Sequence, residues 1–458
     1  MSSSNISTED FAEDKDAKKK LVIETIAKES TLKCDSSKLD ATILSGGITN
    51  YAYKVYVTDN PDICVFAKLS FEYALWSPDT HHDLQRTVNE YEMQKLMFSH
   101  VPTCVVKPLA CLDVQHNDQK AKLLITEWSK ASEQFGNQFA DGAVDERIAP
   151  KLADTLAILH NIKDFDDDFN QQVKPAMVGL LQFVKSTAGE VCSKETPKDR
   201  TEEYCKEVGK EALLKILQAN IDNLDQRDCL IHSDAHVFNI LVESKPSIAE
   251  LEQFGQEGLM CLCDWETAIV GPIGKDIGGA IAAPVGCLVG HMLNGYREES
   301  IDKYINTLLD DYTSKMMEAG KTQEELAIIF RNILGWCGMV QYVVFYFLGV
   351  QLDAFGVEGD DLQALVRDSM GILGLKLMKV AYEDTDQIYT MDTLKTIFKN
   401  LVDQEVALAE TNFASRKRKM LTRKSSLLRM QNRRISDAST FLLSVNGLEG
   451  IEESLLNL

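Results

Sequence analysis

One segment spaces a histidine, an aspartate and an asparagine as phosphate chemistry would require: Cys229–Val242, CLIHSDAHVFNILV. An apolar run leads into His232 and Asp234, Asn239 follows five residues after the aspartate, and a second apolar run ends the segment. A carboxylate in this place can accept the proton of an attacking hydroxyl group, and an amide oxygen five residues on can reach a magnesium ion on phosphates. The same residues also suit a buried histidine and aspartate that cap a turn, so the segment alone leaves two interpretations open.

A second segment, Leu259–Ile277, places two more carboxylates at the end of a predicted strand. Its sequence is LMCLCDWETAIVGPIGKDI, in which the apolar run Leu259–Cys263 is followed by Asp264 and Glu266. Carboxylates at a strand end suit a metal ion that bridges the phosphates of a nucleotide. We therefore expect Asp264 to bind this metal and Glu266 to support the metal or the loop around it. The polar, glycine-containing stretch Glu243–Gly258 is predicted to be a surface hairpin between two strands.

In this order, the two segments resemble the catalytic loop and the metal-binding motif of kinases. They are most similar to those of the aminoglycoside phosphotransferase and choline kinase superfamily of small-molecule kinases. Within that superfamily, GPIGKDIGG at Gly271–Gly279 resembles the segment that follows the metal-binding motif in 5-methylthioribose kinase. The similarity covers roughly residues 40–400, although only the motifs are close.

The resemblance implies an enzyme that transfers the γ-phosphoryl group of ATP to an alcohol group of a small molecule, with Mg²⁺ as the second cofactor. It implies catalytic roles for Asp234, Asn239 and His232. It implies metal-binding roles for Asn239, Asp264 and Glu266. The rate enhancement would come from positioning and charge neutralisation, because the transition state of phosphoryl transfer is loose.

The acceptor alcohol is less clearly indicated than the reaction. Gly271–Gly279 favours a methylthioribose-like sugar, and the superfamily implies that Asp276 holds the catalytic loop by accepting backbone N–H groups. The sequence departs from the methylthioribose kinase pattern at Ser233, where glycine is usual, and at Asn239, which that loop usually lacks. It departs again at Lys379–Val380, where the family carries two arginines. An exchange of arginine for lysine is not neutral for planar hydrogen bonding.

Choline, ethanolamine and amino sugars therefore remain alternative acceptors within the superfamily. Trp336, Tyr342 and Tyr346 could enclose a quaternary ammonium group, although at this helical spacing aromatic residues are more often part of a core. An alternative of another class is a catalytically silent, nucleotide-binding regulator. The presence of all the required polar residues disfavours it.

Four residues in a glycine-containing stretch, Ser45–Val55, are predicted to contact the nucleotide phosphates. Glycines let backbone N–H groups approach a phosphate closely, and threonine and asparagine side chains can add polar contacts. A plain β-turn has a similar composition, but the stretch lies at the expected distance before the next element. The four residues are Gly46, Gly47, Thr49 and Asn50.

A lysine in an apolar strand, Lys68 in Ile63–Leu69, needs a partner because burying an unpaired ammonium group is unfavourable. Nucleotide phosphates supply one partner, and a helical glutamate supplies another. Glu90 in the predicted helix Gln85–Met97 is the first choice, and Glu92 is the alternative. The simpler explanation of the lysine is an edge strand from which it points into solvent.

Two further segments follow the lysine. Leu123–Trp128 is predicted to be the last strand of the small lobe, with the backbone around Glu127 and Trp128 against the adenine edge. The periodicity of Ile148–Ile162 predicts an amphipathic helix, in which we interpret His160 as a structural, hydrogen-bonding residue.

These elements predict an α+β, two-lobed, protein-kinase-like fold, with a five-stranded antiparallel sheet in the small lobe and a larger, mainly helical lobe. The pattern is helical from residue 300 to residue 409. We expect four regions: an N-terminal tail and helix (1–37), a nucleotide-binding lobe (38–129), a catalytic and substrate-binding lobe (130–410), and a C-terminal tail that is basic and then apolar (411–458).

The composition of the 458-residue chain is that of a soluble globular protein, and its net charge of −22 argues against a general nucleic-acid-binding protein. Eleven cysteines occur without CxxC pairs, which favours reduced thiols over a disulfide framework or a zinc site. The N-terminal segment lacks the apolar core of a signal peptide. We therefore expect a cytoplasmic protein, and the sequence does not determine its oligomeric state.

Two apolar stretches, Ile277–Leu293 and Asn332–Val350, resemble membrane spans. The first is interrupted by four glycines and a proline, and the second contains a glutamine. We predict that the second is a helix buried in the large lobe, and we expect no stable insertion into a membrane.

The C-terminal tail contains a basic segment, Arg416–Arg434, with nine lysines and arginines and no acidic residue. Its motifs RKSS (Arg423–Ser426) and RRIS (Arg433–Ser436) resemble sites that basophilic protein kinases modify. The composition favours disorder. A nuclear address, a contact with an anionic membrane and a contact with the acidic body of the protein are the alternatives.

Overall fold

The strands of the small lobe pair antiparallel, and the second of them, Tyr51–Val57, alternates between buried and partly exposed residues. In chain order they are β1 (Leu39–Ile43), β2 (Tyr51–Val57), β3 (Asn60–Phe71), β4 (Tyr73–Ala74), β5 (Ser77–His81), β6 (Pro108–His116) and β7 (Gln119–Glu127). Five of them form one sheet in the order β1-β2-β3-β7-β6, and β4 pairs with β5. The predicted five-stranded antiparallel sheet is confirmed.

This computed structural model describes residues 8–29, 31–44, 50–74, 77–81, 83–131, 133–243, 260–349, 357, 359–383 and 390–411. The predicted hairpin Glu243–Gly258, apart from its first residue, and the basic segment Arg416–Arg434 lie outside the described residues. The chain divides into two units, Met1–Glu405 and Val406–Leu458. Of the second unit, the structure describes a helical segment, 406–411.

The period of two along β3 explains how a lysine comes to lie beside an apolar sheet. Ala67 and Leu69 face a core that includes Val22 and Ile26 of helix α1 (Thr8–Lys28). Lys68 lies between them in sequence, so its side chain leaves the opposite face of the sheet. Because β3 lies between β2 and β7, the edge-strand explanation of this lysine is wrong.

Helix α2 (Gln85–His100) lies on the face of the sheet from which the lysine projects. Met93 and Met97 are fully buried and anchor the helix, and Glu90 lies one turn before Met93 on the same side. The helix also packs against a 3₁₀ turn at Trp265–Thr267. The glutamate is therefore fixed between the two lobes.

Helices make up most of the large lobe. They are α3 (Phe135–Ala140), α4 (Ile148–Asn161), α5 (Lys174–Val191), α6 (Arg200–Val208), α7 (Lys210–Asn223), α8 (Lys275–Leu293), α9 (Glu299–Glu318), α10 (Gln323–Val340) and α11 (Asp360–Glu383). A π-helical turn, Gln341–Phe347, continues α10, and a last helix of the first unit runs from 391 to Glu405. The predicted α+β fold with a helical second lobe is confirmed.

Short strands in the large lobe carry the two polar motifs. They are β8 (Glu133–Gln134), β9 (Cys229–Ile231), β10 (Ile240–Val242), β11 (Met260–Leu262) and β12 (Ile269–Gly271). Strand β9 pairs with β12, and β10 pairs with β11, both antiparallel. The loop after β9 and the turn after β11 are therefore neighbours, which brings the two motifs together.

Two helical stretches, Lys275–Leu293 and Gln323–Phe347, are long and apolar enough to cross a membrane. In the structure, 83% and 78% of their apolar windows are buried. Glycines let these helices approach closely: a Cβ atom on Gly278 would lie 2.8 Å from the carbonyl oxygen of Ile333. Burial in the large lobe agrees with the prediction of core helices.

Candidate active site

The loop after β9 is held in place by a buried carboxylate. Oδ2 of Asp276 accepts the backbone N–H of His232 at 2.7 Å, and Oδ1 accepts that of Ser233 at 2.7 Å. His160 donates from Nε2 to Asp276 at 3.1 Å, and its Nδ1 lies 2.7 Å from the hydroxyl of Tyr312. Burial alone would raise the pKa of Asp276, but the hydrogen bond from His160 and nearby positive charges lower it overall. The structural roles expected of Asp276 and His160 are confirmed.

His232 does not take the catalytic role that the motif predicts. Its side chain is fully buried, so it does not face the cleft. Nε2 lies 3.0 Å from the carbonyl oxygen of Cys263, and Nδ1 accepts the backbone N–H of Asp234 at 3.3 Å. Burial lowers the pKa of His232, which favours the neutral ring with its proton on Nε2. The histidine therefore positions the loop, and a motif cannot reveal this because it gives residue type and not burial.

Asp234 projects into the cleft with its carboxylate about half exposed. Asn239 donates from Nδ2 to the carbonyl oxygen of Asp234 at 3.0 Å and to its Oδ2 at 3.2 Å. Nε2 of His236 lies 3.6 Å from the other carboxylate oxygen. The amide N–H groups of Asn239 are thus used on the aspartate, which leaves its oxygen available as a metal ligand.

Hydrogen bonds join this loop to the turn that carries Asp264. The backbone N–H of Cys263 donates to the carbonyl oxygen of Asn239 at 3.0 Å. The hydroxyl of Thr267 donates to the carbonyl oxygen of His232 at 3.3 Å. Asp264 has a positive φ of 64°, and its carboxylate is 39% exposed. The two predicted acids therefore come from loops that are hydrogen-bonded to each other, and both carboxylates are partly exposed.

Three carboxylates surround the ammonium group of Lys68. Its Nζ lies 2.6 Å from Oδ1 of Asp264, 2.9 Å from Oε2 of Glu90 and 2.9 Å from Oε2 of Glu266. One oxygen atom from each carboxylate lies within 4.8 Å of the other two. The sequence left Glu92 open as the partner, but its carboxylate is half exposed and binds Lys95.

The charges in this cluster do not cancel. Burial alone would lower the pKa of Lys68, but the three carboxylates raise it well above its ordinary value, so the lysine stays protonated. Burial raises the pKa of Glu90 to about 7, helped by the negative charges of Asp264 and Glu266. One ammonium group thus faces three carboxylates, and the most buried of them, Glu90, holds a proton more tightly than a carboxyl group in water.

Arg86, which the sequence analysis did not assign, and Asn50, which it assigned to the phosphates, hold Glu266 in this cluster. Arg86 donates from Nη2 to Oδ1 of Asn50 at 3.0 Å and lies 3.8 Å from Glu266 through Nη1. Asn50 in turn donates to Oε2 of Glu266 at 3.0 Å. Asn50 was expected to contact phosphates, but its buried side chain supports the glutamate instead. The available sequence signal was an arginine one helical turn before Glu90 on the same helix.

Asn170 is a second such residue, and nothing in the sequence pointed to it. Its Nδ2 donates to the carbonyl oxygens of Glu266 at 3.1 Å and Ala268 at 2.8 Å. Its Oδ1 accepts from Asn89 of α2 at 2.7 Å, and its backbone has a positive φ of 53°. Asn170 therefore joins the turn that carries Glu266 to the helix that carries Glu90.

The expected nucleotide contacts are only partly described. Gly46, Gly47 and Thr49 lie outside the described residues. Strand β7 ends at Glu127, whose N–H donates to the carbonyl oxygen of Lys107 at 2.9 Å. Trp128 is the next residue, and Nζ of Lys54 lies 4.8 Å from the centroid of its ring. The contact of this backbone with adenine stays a prediction.

The three aromatic residues considered for a quaternary ammonium site do not form a cage. Trp336 faces the ammonium group of Lys275 at 5.0 Å and donates its N–H to Asn223 at 2.7 Å. Tyr342 and Tyr346 stack on each other with ring centroids 5.6 Å apart. All three are buried, which agrees with the expected core role. Lys379 is half exposed and pairs with Glu383 at 3.6 Å.

The donor atoms around the cleft fit a divalent cation. Mg²⁺ prefers oxygen ligands and binds through a few carboxylates together with phosphates and water. Asp264 offers a carboxylate that is 39% exposed, Glu266 offers a buried carboxylate in the same cluster, and Asn239 offers an amide oxygen. Glu90 is too deeply buried beside Lys68 to be more than the lysine's partner.

A family model described as the phosphotransferase enzyme family matches residues 40–315, more than half of the chain. No curated protein sequence matches the chain. Among solved structures, the choline kinase from Cryptosporidium parvum Iowa II is 12% identical, with 85% of this chain and 96% of that chain covered and a TM-score of 0.34. An aminoglycoside-3'-phosphotransferase of type VIII is 14% identical, with 69% and 99% covered and a TM-score of 0.35.

An aminoglycoside phosphotransferase from Alicyclobacillus acidocaldarius is 12% identical, with 79% and 92% covered and a TM-score of 0.38. The chain belongs to the phosphotransferase enzyme family, as an enzyme with a two-lobed kinase-like fold that transfers phosphoryl groups to hydroxyl groups of small molecules.

Proposed function

We propose that this phosphotransferase uses ATP and Mg²⁺ to phosphorylate a hydroxyl group of an uncharged, methylthioribose-like sugar in the cytoplasm. The phosphotransfer chemistry is supported by one observation: the loop of Asp234 is hydrogen-bonded to the turn whose carboxylates bind Lys68. Asp234 presents a half-exposed carboxylate from a loop that is hydrogen-bonded to the turn of Asp264 and Glu266. Lys68 binds both of those carboxylates.

Asp264, Glu266 and Asn239 would hold the metal. When bound, Mg²⁺ neutralises the negative charge that develops on the phosphates. Lys68 supplies a fixed positive charge for the phosphates, because its carboxylate partners keep it protonated. Glu90 holds this lysine from the helix behind it at 2.9 Å. The chain thus provides orientation and charge, which a loose transition state mainly needs.

Asp234 would orient the acceptor and take its proton. The oxygen of the acceptor hydroxyl attacks the γ-phosphorus, and the bond from that phosphorus to the β–γ bridging oxygen breaks. The hydroxyl proton passes to the carboxylate of Asp234, and ADP leaves. Asn239 keeps the aspartate in one orientation through its amide N–H at 3.2 Å.

The ammonium group of Lys275 favours an uncharged acceptor over a cationic one. It lies against Ser233, next to Asp234 in the sequence, and it already faces the ring of Trp336 at 5.0 Å. A cationic acceptor bound beside Asp234 would meet a charge of the same sign from this lysine. This supports a sugar over choline or an amino sugar.

The test is ATP consumption over a panel of alcohols: 5-methylthioribose, other neutral sugars, choline, ethanolamine and amino sugars. We expect a neutral sugar to give the highest kcat/KM, and Asp234→Asn to lower kcat by about 10³-fold because it removes the proton acceptor. Asp225→Asn is the matched control, because Asp225 is exposed and pairs with Lys174 on the surface.

The other outcomes separate the alternatives. Preference for choline, ethanolamine or an amino sugar would replace the proposed acceptor. If no alcohol stimulates ATP consumption but ATP with Mg²⁺ still raises the Tm, the protein is a nucleotide-binding regulator and the proposal fails.

A further inference from the structure

Lys275 is a buried lysine beside the catalytic loop, and the mechanism above gives it no part in phosphoryl transfer. Its side chain is almost fully buried at the start of α8. Nζ donates to the carbonyl oxygen of Ser233 and, at 3.0 Å, to its hydroxyl oxygen. Among the described residues, no carboxylate forms an ion pair with it. A buried cation whose protein acceptors are two oxygens of one residue needs an explanation.

Ser233 needs support because of its backbone conformation. Its φ is 72°, in the left-handed region, which costs a residue with a side chain about 1 kcal/mol or more. Its hydroxyl group is also buried, and an unsatisfied buried hydroxyl is unfavourable. Lys275 satisfies both oxygen atoms of this residue. The lysine thus compensates for a serine at a position where glycine would adopt the same backbone without strain.

The peptide group between Ser233 and Asp234 is consequently held at both ends. Lys275 binds its carbonyl oxygen, and Nδ1 of His232 accepts its N–H at 3.3 Å. On the other side of Ser233, its own N–H is held by Asp276 at 2.7 Å. The orientation of this peptide plane sets the direction in which the side chain of Asp234 leaves the loop.

Lys275 is itself held rigidly. The ring of Trp336 faces its ammonium group, and the N–H of that ring is fixed by Asn223 at 2.7 Å. The preceding Gly274 has a φ of 96°, and a Cβ atom there would lie 2.8 Å from the carbonyl oxygen of Ile329. Because both its backbone and its ammonium group are held in place, Lys275 can keep the loop that it contacts in one conformation.

We propose that Lys275 is a positioning residue for phosphoryl transfer, which acts through Ser233 to aim the carboxylate of Asp234. The proposal rests on the proposed function for its catalytic consequence. The geometric part, that the lysine holds the loop, does not depend on any substrate. The two parts can therefore be tested with separate measurements.

The first measurement is kcat and KM with the best alcohol of the panel, in a double-mutant cycle. Lys275→Met should lower kcat about tenfold and change the KM for ATP by less than about twofold, because Asp234 is misdirected while the nucleotide contacts remain. In a Ser233→Gly background the same change should lower kcat only about two- to threefold. Glycine removes both the strain and the buried hydroxyl that the lysine supports.

The second measurement is amide hydrogen exchange of the peptide that covers residues 229–239, which requires no activity. Lys275→Met should accelerate exchange in this peptide about tenfold, and less in the glycine background. Lys275→Gln keeps a hydrogen-bond donor without the charge and should lie between wild type and Lys275→Met. Lys18→Met, which removes a buried lysine of the small lobe, should leave this peptide unchanged.

The outcomes distinguish the two proposals. Suppose that the wild type turns over and that Lys275→Met lowers kcat equally in the wild-type and Ser233→Gly backgrounds. This result would overturn the role of Lys275 and leave the proposed function intact. Unchanged hydrogen exchange in both Lys275→Met and Lys275→Gln would also overturn it. If the wild type shows no turnover at all, the proposed function fails, and faster exchange in Lys275→Met would still support the hold on the loop.

Discussion

Nζ of Lys68 lies 2.6 Å from Oδ1 of Asp264, although the two residues are 196 positions apart in the sequence. The lysine comes from the sheet of the small lobe, and the aspartate comes from the large lobe. The same ammonium group also binds Glu90 and Glu266. One cation therefore joins both lobes to helix α2 at the bottom of the cleft.

Replacement of this cation is expected to change both stability and metal binding. Lys68→Met should abolish turnover and lower the stability of the metal-free protein by about 3–5 kcal/mol, because buried carboxylates lose their counter-ion. For the same reason, Mg²⁺ alone should raise the Tm of Lys68→Met more than that of the wild type. Thermal unfolding with and without Mg²⁺ measures both effects.

Lys122→Met is a suitable control for the lysine experiment. Lys122 lies on β7 and pairs with Asp113, whose carboxylate is 87% exposed. Its removal should change stability by less than about 1 kcal/mol and leave the response to Mg²⁺ as in the wild type. An equal Mg²⁺ response in Lys68→Met and the wild type would contradict a metal site in this cluster.

The raised pKa of Glu90 predicts a pH-dependent stability. In the folded protein this carboxyl titrates at about 7 and in the unfolded chain near 4.5, so the native state binds the proton more tightly. The free energy of unfolding that Glu90 contributes therefore falls as the pH rises from about 4.5 to about 7. In Glu90→Gln this dependence disappears.

The measurement is the Tm of the metal-free protein between about pH 5 and pH 8. Over this interval the Tm of the wild type should fall relative to that of Glu90→Gln. Glu92→Gln should follow the wild type, because Glu92 is half exposed and pairs with Lys95 on the outside of the same helix. A parallel course for the wild type and Glu90→Gln would show that Glu90 ionises normally.

Local sequence patterns predicted the residues that lie at the ends and faces of regular elements. Helical spacing placed Glu90 beside methionines, and short apolar runs placed Lys68 within a strand and Asp234 and Asp264 after strands. Each of these depends on the periodicity of a single element. The same patterns predicted the sheet and the helical lobe.

What the sequence did not predict depends on contacts between distant segments or on burial. Asn170 bonds to the backbone of Glu266, 96 positions away, and no periodicity encodes such a pairing. The left-handed backbone at Asp264 has no signal either, because the residue is not a glycine. His232 was misassigned because its type matched a motif while its burial was unknown.

Close packing of α10 on α11 predicts a strong effect at one glycine. A Cβ atom on Gly338 would lie 2.5 Å from the carbonyl oxygen of Gly374, so Gly338→Ala must push the helices apart. We expect a loss of about 2–3 kcal/mol, measured as a lower urea midpoint. Gly179→Ala in α5 meets no atom within 4 Å and should leave stability unchanged or raise it by about 0.5–1 kcal/mol. Similar effects of the two substitutions would show that the helices adapt easily.

A buried ionic network joins α6 and α11 to the last helix of the first unit. Glu405 is fully buried and accepts from Arg200 at 2.6 Å and from Lys376 at 3.1 Å. Glu405→Gln keeps the shape of the side chain but leaves two cations without their counter-ion. We therefore expect a loss of about 3–5 kcal/mol, measured as a lower urea midpoint.

An exposed ion pair provides the comparison for this network. Arg227 lies 2.9 Å from Asp168, and their side chains are 46% and 80% exposed. Water screens these charges, so Asp168→Asn should cost less than about 1 kcal/mol. If Glu405→Gln cost no more than Asp168→Asn, Arg200 and Lys376 would have to find other acceptors or water, and the network would not be what fixes these helices.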